Sequence, residues 1–439
     1  MSSAVTIDPS DPLVPAARRS ASGALQIAAA TVGNALEWFD ILAYGYFATT
    51  IAGVFFPNSN PALSLLLTFG SFGLSYLARP LGAILLCAYA DRAGRKTALA
   101  LSIRLMVIGT AVMALMPSYA TIGLIAPIGI FAARLLQGFA VAGEFGSSTA
   151  FMVEHSARRK AFFASWQFTG QHMAKLLAAL FGFGLMSTLS GPQLHSWGWR
   201  VPFLFGLLVG PVGMYIRRKV DESPEFLNTT HTRTPIRETF ATEKTGLVLG
   251  AGLVAVGTAS TYFSLYIPTY ATTRLHLPPT VGYLVSIVLA LVAIALIPVA
   301  SQVADRIGCT RIMLPAAILM LLSFYPVFFL ITRRPSLSTL LPALIWDCLL
   351  QVAYVSAMPA VMASIFPPRT RVTGLSLSYN LGVTIFGGFA PAIFTWLSDV
   401  THDNTAPSFY LMATAMVSIA AVITVKRRDG IYGNAKAST

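Results

Sequence analysis

Long apolar stretches, separated by short polar connections, recur along the whole chain. Each stretch holds about 20 mainly apolar residues, enough for a helix to cross roughly 30 Å of hydrocarbon. The pattern therefore predicts an all-α membrane protein with twelve transmembrane helices. The predicted spans are 24–54, 62–88, 97–116, 121–150, 161–188, 200–216, 246–272, 280–303, 311–331, 337–365, 372–398 and 407–425.

A short charged pattern occurs twice, half a chain apart. The first copy is Asp91-Arg92-Ala93-Gly94-Arg95-Lys96, and the second is Asp305-Arg306-Ile307-Gly308. The copies begin 214 residues apart in a chain of 439, and such duplication is typical of transporters built from two related halves. We predict two pseudo-symmetric six-helix bundles, at 24–216 and 246–425. A cytoplasmic linker at 217–245 joins them, and cytoplasmic tails at 1–23 and 426–439 flank them.

The distribution of charge fits a membrane protein. Charged residues make up 11% of the chain, whereas soluble domains carry about 25%. A net charge of +13 would favour nucleic-acid binding on a soluble protein. Here, however, 22 of the 30 Lys and Arg residues lie in connections on one side of the predicted spans, against four on the other. The positive-inside rule predicts that both termini are cytoplasmic, and we expect no nucleic-acid partner.

Motifs for other activities are missing from the sequence. The polar start of the chain has no apolar core followed by a cleavage site, so we expect a disordered tail and no signal peptide. The spacing of Cys87, Cys309 and Cys348 fits no metal site or disulfide framework, and no phosphate-binding loop or dinucleotide motif occurs. We expect no enzyme activity, no metal and no cofactor. An ion gradient or the gradient of the substrate would drive transport.

Two acids lie inside the first predicted span. Glu37 and Asp40 are three residues apart and therefore share one helix face. An ionised side chain in hydrocarbon costs about 3 kcal/mol, so such a group normally faces a cavity or a partner. Because neighbouring carboxylates repel each other, one of them tends to retain a proton. We expect at least one to carry a coupling proton; alternatively, each is a fixed partner of an embedded arginine.

Two cations lie deep in the same half. Arg79 precedes the cytoplasmic Asp91 by twelve residues, which places it about 18 Å deep in a helix. Its guanidinium can bind a carboxylate through two hydrogen bonds, so we favour substrate binding over a structural ion pair. Lys175 shares the fifth span with Gln171 and His172, and we expect all three to line the substrate site. The alternatives are that Lys175 only neutralises a carboxylate and that His172 relays a proton.

The second half carries few embedded charges. Asp347 is its deep acid, and its role is open. Tyr266 belongs to a stripe of tyrosines with a four-residue period, which fits either a pocket wall or helix packing. We expect Tyr266, Tyr354 and Asn380 to supply hydrogen bonds to the substrate, while the first half supplies charge.

Several short motifs resemble one family of membrane transporters. Two six-helix halves with an Asp-Arg-x-Gly-Arg-Lys turn after the second span resemble the major facilitator superfamily. Further motifs resemble its metabolite:proton symporter family, and within it the citrate and tricarballylate branch. These motifs are Gly33-Asn34-Ala35-Leu36-Glu37-Trp38-Phe39-Asp40, Arg79-Pro80-Leu81-Gly82, Arg134-Leu135-Leu136-Gln137-Gly138, Gly143-Glu144, Ser165-Trp166-Gln167, Gly198-Trp199-Arg200-Val201-Pro202-Phe203 and Phe386-Gly387-Gly388-Phe389-Ala390-Pro391.

This resemblance implies the major facilitator fold and alternating access in a bacterial inner membrane. It implies proton-coupled import of a small organic anion, above all a di- or tricarboxylate such as citrate or tricarballylate. The alternatives are symport of a zwitterionic osmolyte such as betaine or proline, transport of 2-oxoglutarate or shikimate, and export by proton antiport. Membrane lipids are the remaining expected partners, and a monomer suffices for this fold.

The resemblance also assigns roles to charged residues of the first half. It places Arg134 in a motif implicated in proton coupling, where we expect it to pair with Asp40 or Glu37. Glu144 would be a second proton carrier or a structural partner.

The two charged turns are expected to act as a latch between the halves. In the first copy, Asp91, Arg92 and Arg95 would pair with charged helix ends such as Glu154. Asp305 and Arg306 are the corresponding residues of the second copy. The alternative is that these charges only enforce topology.

Overall fold

A computed structural model describes most of the chain as helices, and the described part contains no β-strand. It covers residues 31, 34–35, 38–93, 95–141, 146, 149, 152–153, 159–208, 210, 239, 241–367 and 370–437. Side chains are described for these residues except 87–88, 90–93, 95–100 and 429–437.

The first half contains a broken first helix followed by five further helical segments. The bounds are α1 Trp38–Tyr46, α2 Ala48–Phe55, α3 Pro61–Ala93, α4 Arg95–Leu115, α5 Ile125–Ala140, α6 Lys160–Thr188 and α7 Arg200–Gly206. A single turn at Tyr119–Ile122 precedes α5. A short turn at Gly191–Gln193 and a π-helical turn at Leu194–Gly198 precede α7.

The second half contains longer helices. The bounds are α8 Lys244–Thr273, α9 Pro279–Ile307, α10 Cys309–Arg333, α11 Leu337–Ile365, α12 Arg371–Val383, α13 Ala390–Thr401 and α14 Pro407–Ala437. A π-helical turn, Thr384–Gly388, joins α12 to α13, and the two form one span of 31 residues from Arg371 to Thr401.

Each of the twelve predicted spans contains a helix in the described part of the chain. Seven spans are long and apolar enough to cross a membrane, and the bent pair of α1 and α2 would make an eighth. Shorter apolar helices at Leu101–Leu115 and Ile125–Ala140 fall in the third and fourth predicted spans. The prediction of an all-α, multi-pass membrane protein is confirmed.

The first and last predicted spans differ in detail from the structure: the first is bent and the last is longer. The first span is bent by 72° between α1 and α2. At the bend, the Tyr283 hydroxyl of α9 donates a 2.6 Å hydrogen bond to the Tyr46 carbonyl, which satisfies a backbone group that the break leaves free. At the other end of the chain, α14 continues to Ala437 through the segment predicted as a tail, because Lys426, Arg427 and Arg428 favour helix.

The two halves pack against each other along two faces. On one face α6 packs against α9 and α11, where Gly182 makes room for the Tyr283 ring. On the other face α3 packs against the turn before α13, where a Cβ on Gly388 would overlap Tyr76. Small residues allow helices to approach closely inside a membrane, so both faces are tightly packed.

Candidate functional site

A small cavity lies between the halves, beside the middle of α6 and α11. It holds about 240 Å³ of space that no protein atom fills, including its opening. Side chains of both halves line it: Tyr46, His172 and Lys175 from the first, and Ser264, Ser286, Leu289, Ala290, Cys348 and Gln351 from the second. The prediction that His172 and Lys175 lie at one site agrees with this geometry.

Lys175 brings a positive charge to the cavity. Its side chain is only 3% exposed, and it makes no ion pair with an acid in the described part of the chain. It interacts electrostatically with His172 and with the Cys348 thiol. A buried ammonium group is costly without a counter-ion, so this cavity suits an anion.

His172 presents a hydrogen-bond acceptor to the same space. Its Nδ1 lies 2.9 Å from the Phe168 carbonyl oxygen, which can only accept, so Nδ1 carries the hydrogen. In the neutral ring, Nε2 is then the acceptor. This arrangement favours a lining role for His172.

Arg79 is the second buried cation between the halves. Its side chain is 2% exposed, and the guanidinium carbon lies 4.0 Å from the Tyr76 ring centre and 5.6 Å from that of Trp38. Tyr76 in turn is hydrogen-bonded to Tyr262 of α8, across the interface. Within the described part of the chain, Nε and Nη2 of Arg79 have no hydrogen-bond partner. Aromatic rings therefore fix the guanidinium while leaving donors available.

Gln171 links the surroundings of the two cations. It lies one helical turn before Lys175 on α6, and its side chain interacts with the Tyr379 side chain of α12. Tyr379 interacts electrostatically with Arg79. The structure thus places Arg79, Gln171 and Lys175 along one buried polar layer between the halves.

Asp40 lies in a separate network inside the first half. The Arg134 Nη1 donates to Gln137 Oε1 at 3.0 Å, and Gln137 Nε2 donates to Thr110 Oγ1 at 3.0 Å. The Thr110 hydroxyl is hydrogen-bonded to Asp40 Oδ2. We expected Arg134 to pair with Asp40 or Glu37. Glu37 lies outside the described residues, and two neutral side chains connect Arg134 to Asp40, because Thr110 of α4 occupies the position next to the carboxylate.

The network is fully buried. Asp40 is 1% exposed and Arg134 is not exposed at all. The guanidinium of Arg134 stacks on the Tyr44 ring at 3.6 Å, and a Cβ on Gly206 would overlap Asp40 Oδ1. The charges of Arg134 and Asp40 still interact across this short distance.

Asp305, at the end of α9, connects the halves through the start of α6. Its two carboxylate oxygens accept hydrogen bonds of 2.9 Å from the backbone N–H groups of Ala161 and Phe162, at the start of α6. A carboxylate is favoured there because a helix N-terminus carries unpaired N–H groups and a partial positive charge. Asp305 therefore caps α6 and Arg306 is exposed; their role as a latch stays a prediction.

Contacts between the halves also occur at the other end of the bundles. The Tyr283 hydroxyl donates to the Tyr46 carbonyl, and the Phe69 ring packs edge-on against Tyr266 at 5.6 Å. The halves therefore touch on both sides of the polar layer.

Five of the seven predicted binding residues do not line the cavity: Arg79 and Gln171 of the polar layer, and Tyr266, Tyr354 and Asn380 of the second half. The Tyr354 hydroxyl donates to the Leu253 carbonyl at 2.7 Å, Tyr266 is hydrogen-bonded to Thr395, and Asn380 donates to the Ser376 carbonyl. The polar groups of these three residues form hydrogen bonds within the second half. The geometry does not support a substrate contact for them, because periodicity along a helix does not reveal which backbone carbonyl a side chain meets.

Other predicted residues lie outside the described part of the chain. These are Glu37, Glu144 and Glu154, together with the side chains of Asp91, Arg92 and Arg95. Their assigned roles stay predictions.

Several site residues were missed at the level of sequence. Tyr46, Ser264 and Ser286 line the cavity, and Thr110 holds Asp40. Serine and threonine are common in membrane helices, where they bind the carbonyl four residues earlier, as Ser286 does with Gly282. No sequence signal distinguishes such a residue from one that faces a site.

Known proteins with similar sequences are transporters. The chain is 36% identical over 406 residues to the citrate-proton symporter of Klebsiella pneumoniae, covering 91% of each protein. It is 38% identical over 396 residues to the citrate-proton symporter of Salmonella typhi, covering 89% of this chain and 91% of the other. The proline/betaine transporter of Salmonella typhimurium is 30% identical over 417 residues, or 91% of this chain and 83% of that protein. These relatives confirm that the chain is no enzyme.

Solved structures show the same fold. A proton:xylose symporter bound to 6-bromo-6-deoxy-D-glucose superposes with a TM-score of 0.74 at 14% identity, over 93% of this chain and 96% of that one. The partially occluded inward-open xylose transporter of E. coli gives 0.70 at 15% identity, over 92% and 97%. A family model described as Major Facilitator Superfamily matches residues 39–391. The chain therefore belongs to the Major Facilitator Superfamily.

Proposed function

We propose that this transporter imports a small organic anion with two or three carboxylates, such as citrate or tricarballylate, together with protons. The observation that carries the proposal is the polar layer between the halves, which Arg79 and Lys175 border. Charge-assisted hydrogen bonds to carboxylates are among the strongest in proteins, and each cation can hold one carboxylate of the cargo.

The relatives support this choice of cargo. Citrate-proton symporters share 36% and 38% identity with the chain over about nine-tenths of their length. Proteins named as proline or betaine transporters share 30% to 32% identity, so an osmolyte is the second candidate. A zwitterion has a single carboxylate and would leave one of two buried cations unpaired, which favours the multivalent anion.

Hydrogen-bond accounting supports Asp40 as a proton carrier. Arg134 only donates, so it fixes the Gln137 amide with Oε1 toward Arg134 and Nε2 toward Thr110. The Thr110 hydroxyl has one hydrogen and two acceptors within reach, Asp40 Oδ2 and the Met106 carbonyl at 3.0 Å. A protonated Asp40 can donate to Thr110 and leave that hydrogen to Met106, whereas an ionised Asp40 accepts it.

The same network can respond when Asp40 loses its proton. An ionised Asp40 requires the Thr110 hydroxyl to turn its hydrogen away from Met106, and it also attracts Arg134 more strongly. Proton binding would in this way change how α1, α4 and α5 hold together. Opening of the cytoplasmic side would break the cap that Asp305 places on α6.

In the proposed cycle a monomer lies in a bacterial inner membrane, with both termini in the cytoplasm. The anion and the proton enter the polar layer from outside. They leave to the inside when the contacts between the halves close at the outer end and open at the inner end.

Uptake into proteoliposomes tests the proposal. Labelled citrate, tricarballylate, 2-oxoglutarate and betaine are supplied outside, at acidic external pH, with and without a protonophore. We expect citrate or tricarballylate to accumulate above its external concentration, and the protonophore to abolish the accumulation.

Each competing function gives a different result in this assay. Accumulation of betaine but not of the acids would show an osmolyte carrier, and 2-oxoglutarate alone would show a different acid specificity. Accumulation only when the inside is acidic would show antiport. Uptake that requires sodium and is unaffected by the protonophore would show that sodium, and not the proton, is the coupling ion. Vesicles without protein provide the blank.

A further inference from the structure

Asp347 of α11 is a buried acid that the proposed cycle does not use. Its side chain is 7% exposed, and Oδ1 is buried without a hydrogen-bond partner in the described part of the chain. No described cation forms an ion pair with it. A charged or polar group inside a membrane protein is costly, so an acid with an unpaired buried oxygen needs an explanation.

The residue lies beside the candidate cavity. Cys348 follows it, and Gln351 lies one helical turn further along the same face of α11; both line the cavity. Cys348 interacts electrostatically with Asp347 on one side and with Lys175 on the other. Asp347 is therefore near enough to respond when water or cargo enters the cavity.

Burial decides the protonation state of Asp347 in this conformation. An unpaired carboxylate away from water carries a large desolvation cost, whereas the neutral acid carries far less. We infer that Asp347 holds a proton while its side chain is buried. Water that enters the opened cavity solvates the carboxylate, and the proton can then leave.

A metal cation fits this position less well than a proton does. Ions such as Ca²⁺ and Mg²⁺ require about six oxygen ligands, and the described residues hold no group of three or more potential metal ligands. One carboxylate with a thiol beside it offers too few.

The charged groups on the helices around α11 form no ion pair with Asp347 in the described part of the chain. Lys175 lies at the cavity and makes no ion pair with a described acid, and the other described cations lie near helix ends: Lys160 on α6, Lys244 on α8, Arg306 on α9, Arg311 and Arg333 on α10, and Arg371 on α12. The remaining titratable groups described on these helices are His172 on α6; Tyr262, Tyr266 and Tyr270 on α8; Tyr283 and Asp305 on α9; Cys309 and Tyr325 on α10; and Tyr379 on α12.

We propose that Asp347 is a second proton-binding site, so that the carrier moves one more proton with each substrate than Asp40 alone would carry. This rests on the proposed proton symport. Asp40 serves the first half and Asp347 the second, each next to a helix that faces the interface.

The ratio of protons to citrate tests this site in proteoliposomes. The ratio follows from the pH gradient and membrane potential at which citrate flux reverses, so it does not depend on the rate. We expect Asp347→Asn to lower the ratio by one while transport continues. Asp347→Glu keeps a titratable group and should keep the wild-type ratio. Asp399→Asn, which removes an exposed acid at the outer end of α13, is the matched control.

The outcomes separate this site from the proposed function. A wild-type carrier that moves citrate without protons would remove both proposals before any variant is compared. A wild-type carrier that moves protons, with the same ratio in Asp347→Asn, would overturn the second site alone. If Asp347→Asn is inactive, infrared spectra of the purified proteins decide. A protonated-carboxyl band that the wild type shows and the variant lacks supports the site, and identical bands overturn it.

Discussion

Two buried arginines of the first half, Arg79 and Arg134, look alike locally but have different surroundings. Each guanidinium stacks on a tyrosine, at 4.0 Å over Tyr76 and 3.6 Å over Tyr44. Arg134 lies inside one half, in a hydrogen-bonded chain that ends at an acid of the same half. Arg79 lies between the halves, and its neighbours include tyrosines of the second half.

Under the proposed function, the two arginines have different tasks. A network within one half moves as a unit, so Arg134 can respond to the proton on Asp40 without contact to the cargo. The surroundings of Arg79 change whenever the halves separate, because Tyr262 and Tyr379 belong to the other half. Both arginines are buried and charged. In this proposal, their positions relative to the interface between the halves distinguish the residue that binds cargo from the one that responds to the proton.

Replacing Arg79 should have the largest effect. We expect Arg79→Ala to reduce citrate uptake by about a hundredfold or more, because removing one partner of a buried charge pair costs 2–5 kcal/mol. Arg79→Lys should restore only part of the uptake, since an ammonium cannot make the paired hydrogen bonds of a guanidinium. Arg104→Ala, at an exposed arginine of α4, is the control. Normal concentrative uptake by Arg79→Ala would remove Arg79 from the site.

Replacing Asp40 should uncouple transport without abolishing it. We expect Asp40→Asn to exchange labelled for unlabelled citrate across the membrane but to lose accumulation against a gradient, because the carrier no longer releases a proton there. Counterflow and pH-driven uptake, measured on the same vesicles, separate the two activities. Accumulation with unchanged pH dependence would show that Asp40 is not the carrier.

Removing the Thr110 hydroxyl should change the pH profile of uptake more than its maximal rate. Hydrogen bonds to charged groups contribute about 1 kcal/mol more than those to neutral groups, so Thr110→Val penalises ionised Asp40 more than protonated Asp40. The midpoint of the pH profile should move to higher pH by about half to one unit. Thr110→Ser keeps the hydroxyl and should restore the wild-type midpoint; a serine variant that shifts as far as valine would contradict a hydrogen-bonding role.

Tyr354 should show the smallest effect on transport. Its hydroxyl is bound to the Leu253 carbonyl, so we expect Tyr354→Phe to change the KM for citrate by less than about twofold and to cost about 1 kcal/mol of stability. Thermal unfolding and uptake kinetics measure the two quantities. A tenfold rise in KM with unchanged stability would place Tyr354 in contact with the cargo.

The sequence predicted the charged part of the site better than its neutral part. Ionised side chains are rare inside membranes, so the positions of Arg79, Asp40 and Lys175 already indicated a polar interior. Neutral residues gave no comparable signal. Thr110 and Ser286 resemble the many hydroxyls that bind their own helix, and the Tyr354 hydroxyl met a backbone carbonyl that no periodicity reveals.

Helix breaks were also beyond the reach of the pattern. The bend of 72° after α1 occurs within an unbroken apolar segment. Contacts between the halves, such as the Tyr283 hydroxyl on the Tyr46 carbonyl, stabilise it. The extension of α14 past residue 425 shows the converse, because polar composition alone does not end a helix.

Equilibrium binding of citrate to the purified protein tests most directly whether buried cations between the halves hold a multivalent anion. Isothermal titration would compare the wild type with Lys175→Met, which removes the charge but keeps the length, and with Lys244→Met at an exposed position. We expect the wild type and Lys244→Met to bind equally and Lys175→Met to bind at least about tenfold more weakly, or 1.4 kcal/mol. Equal citrate affinity in all three proteins would contradict a binding role for the buried cation.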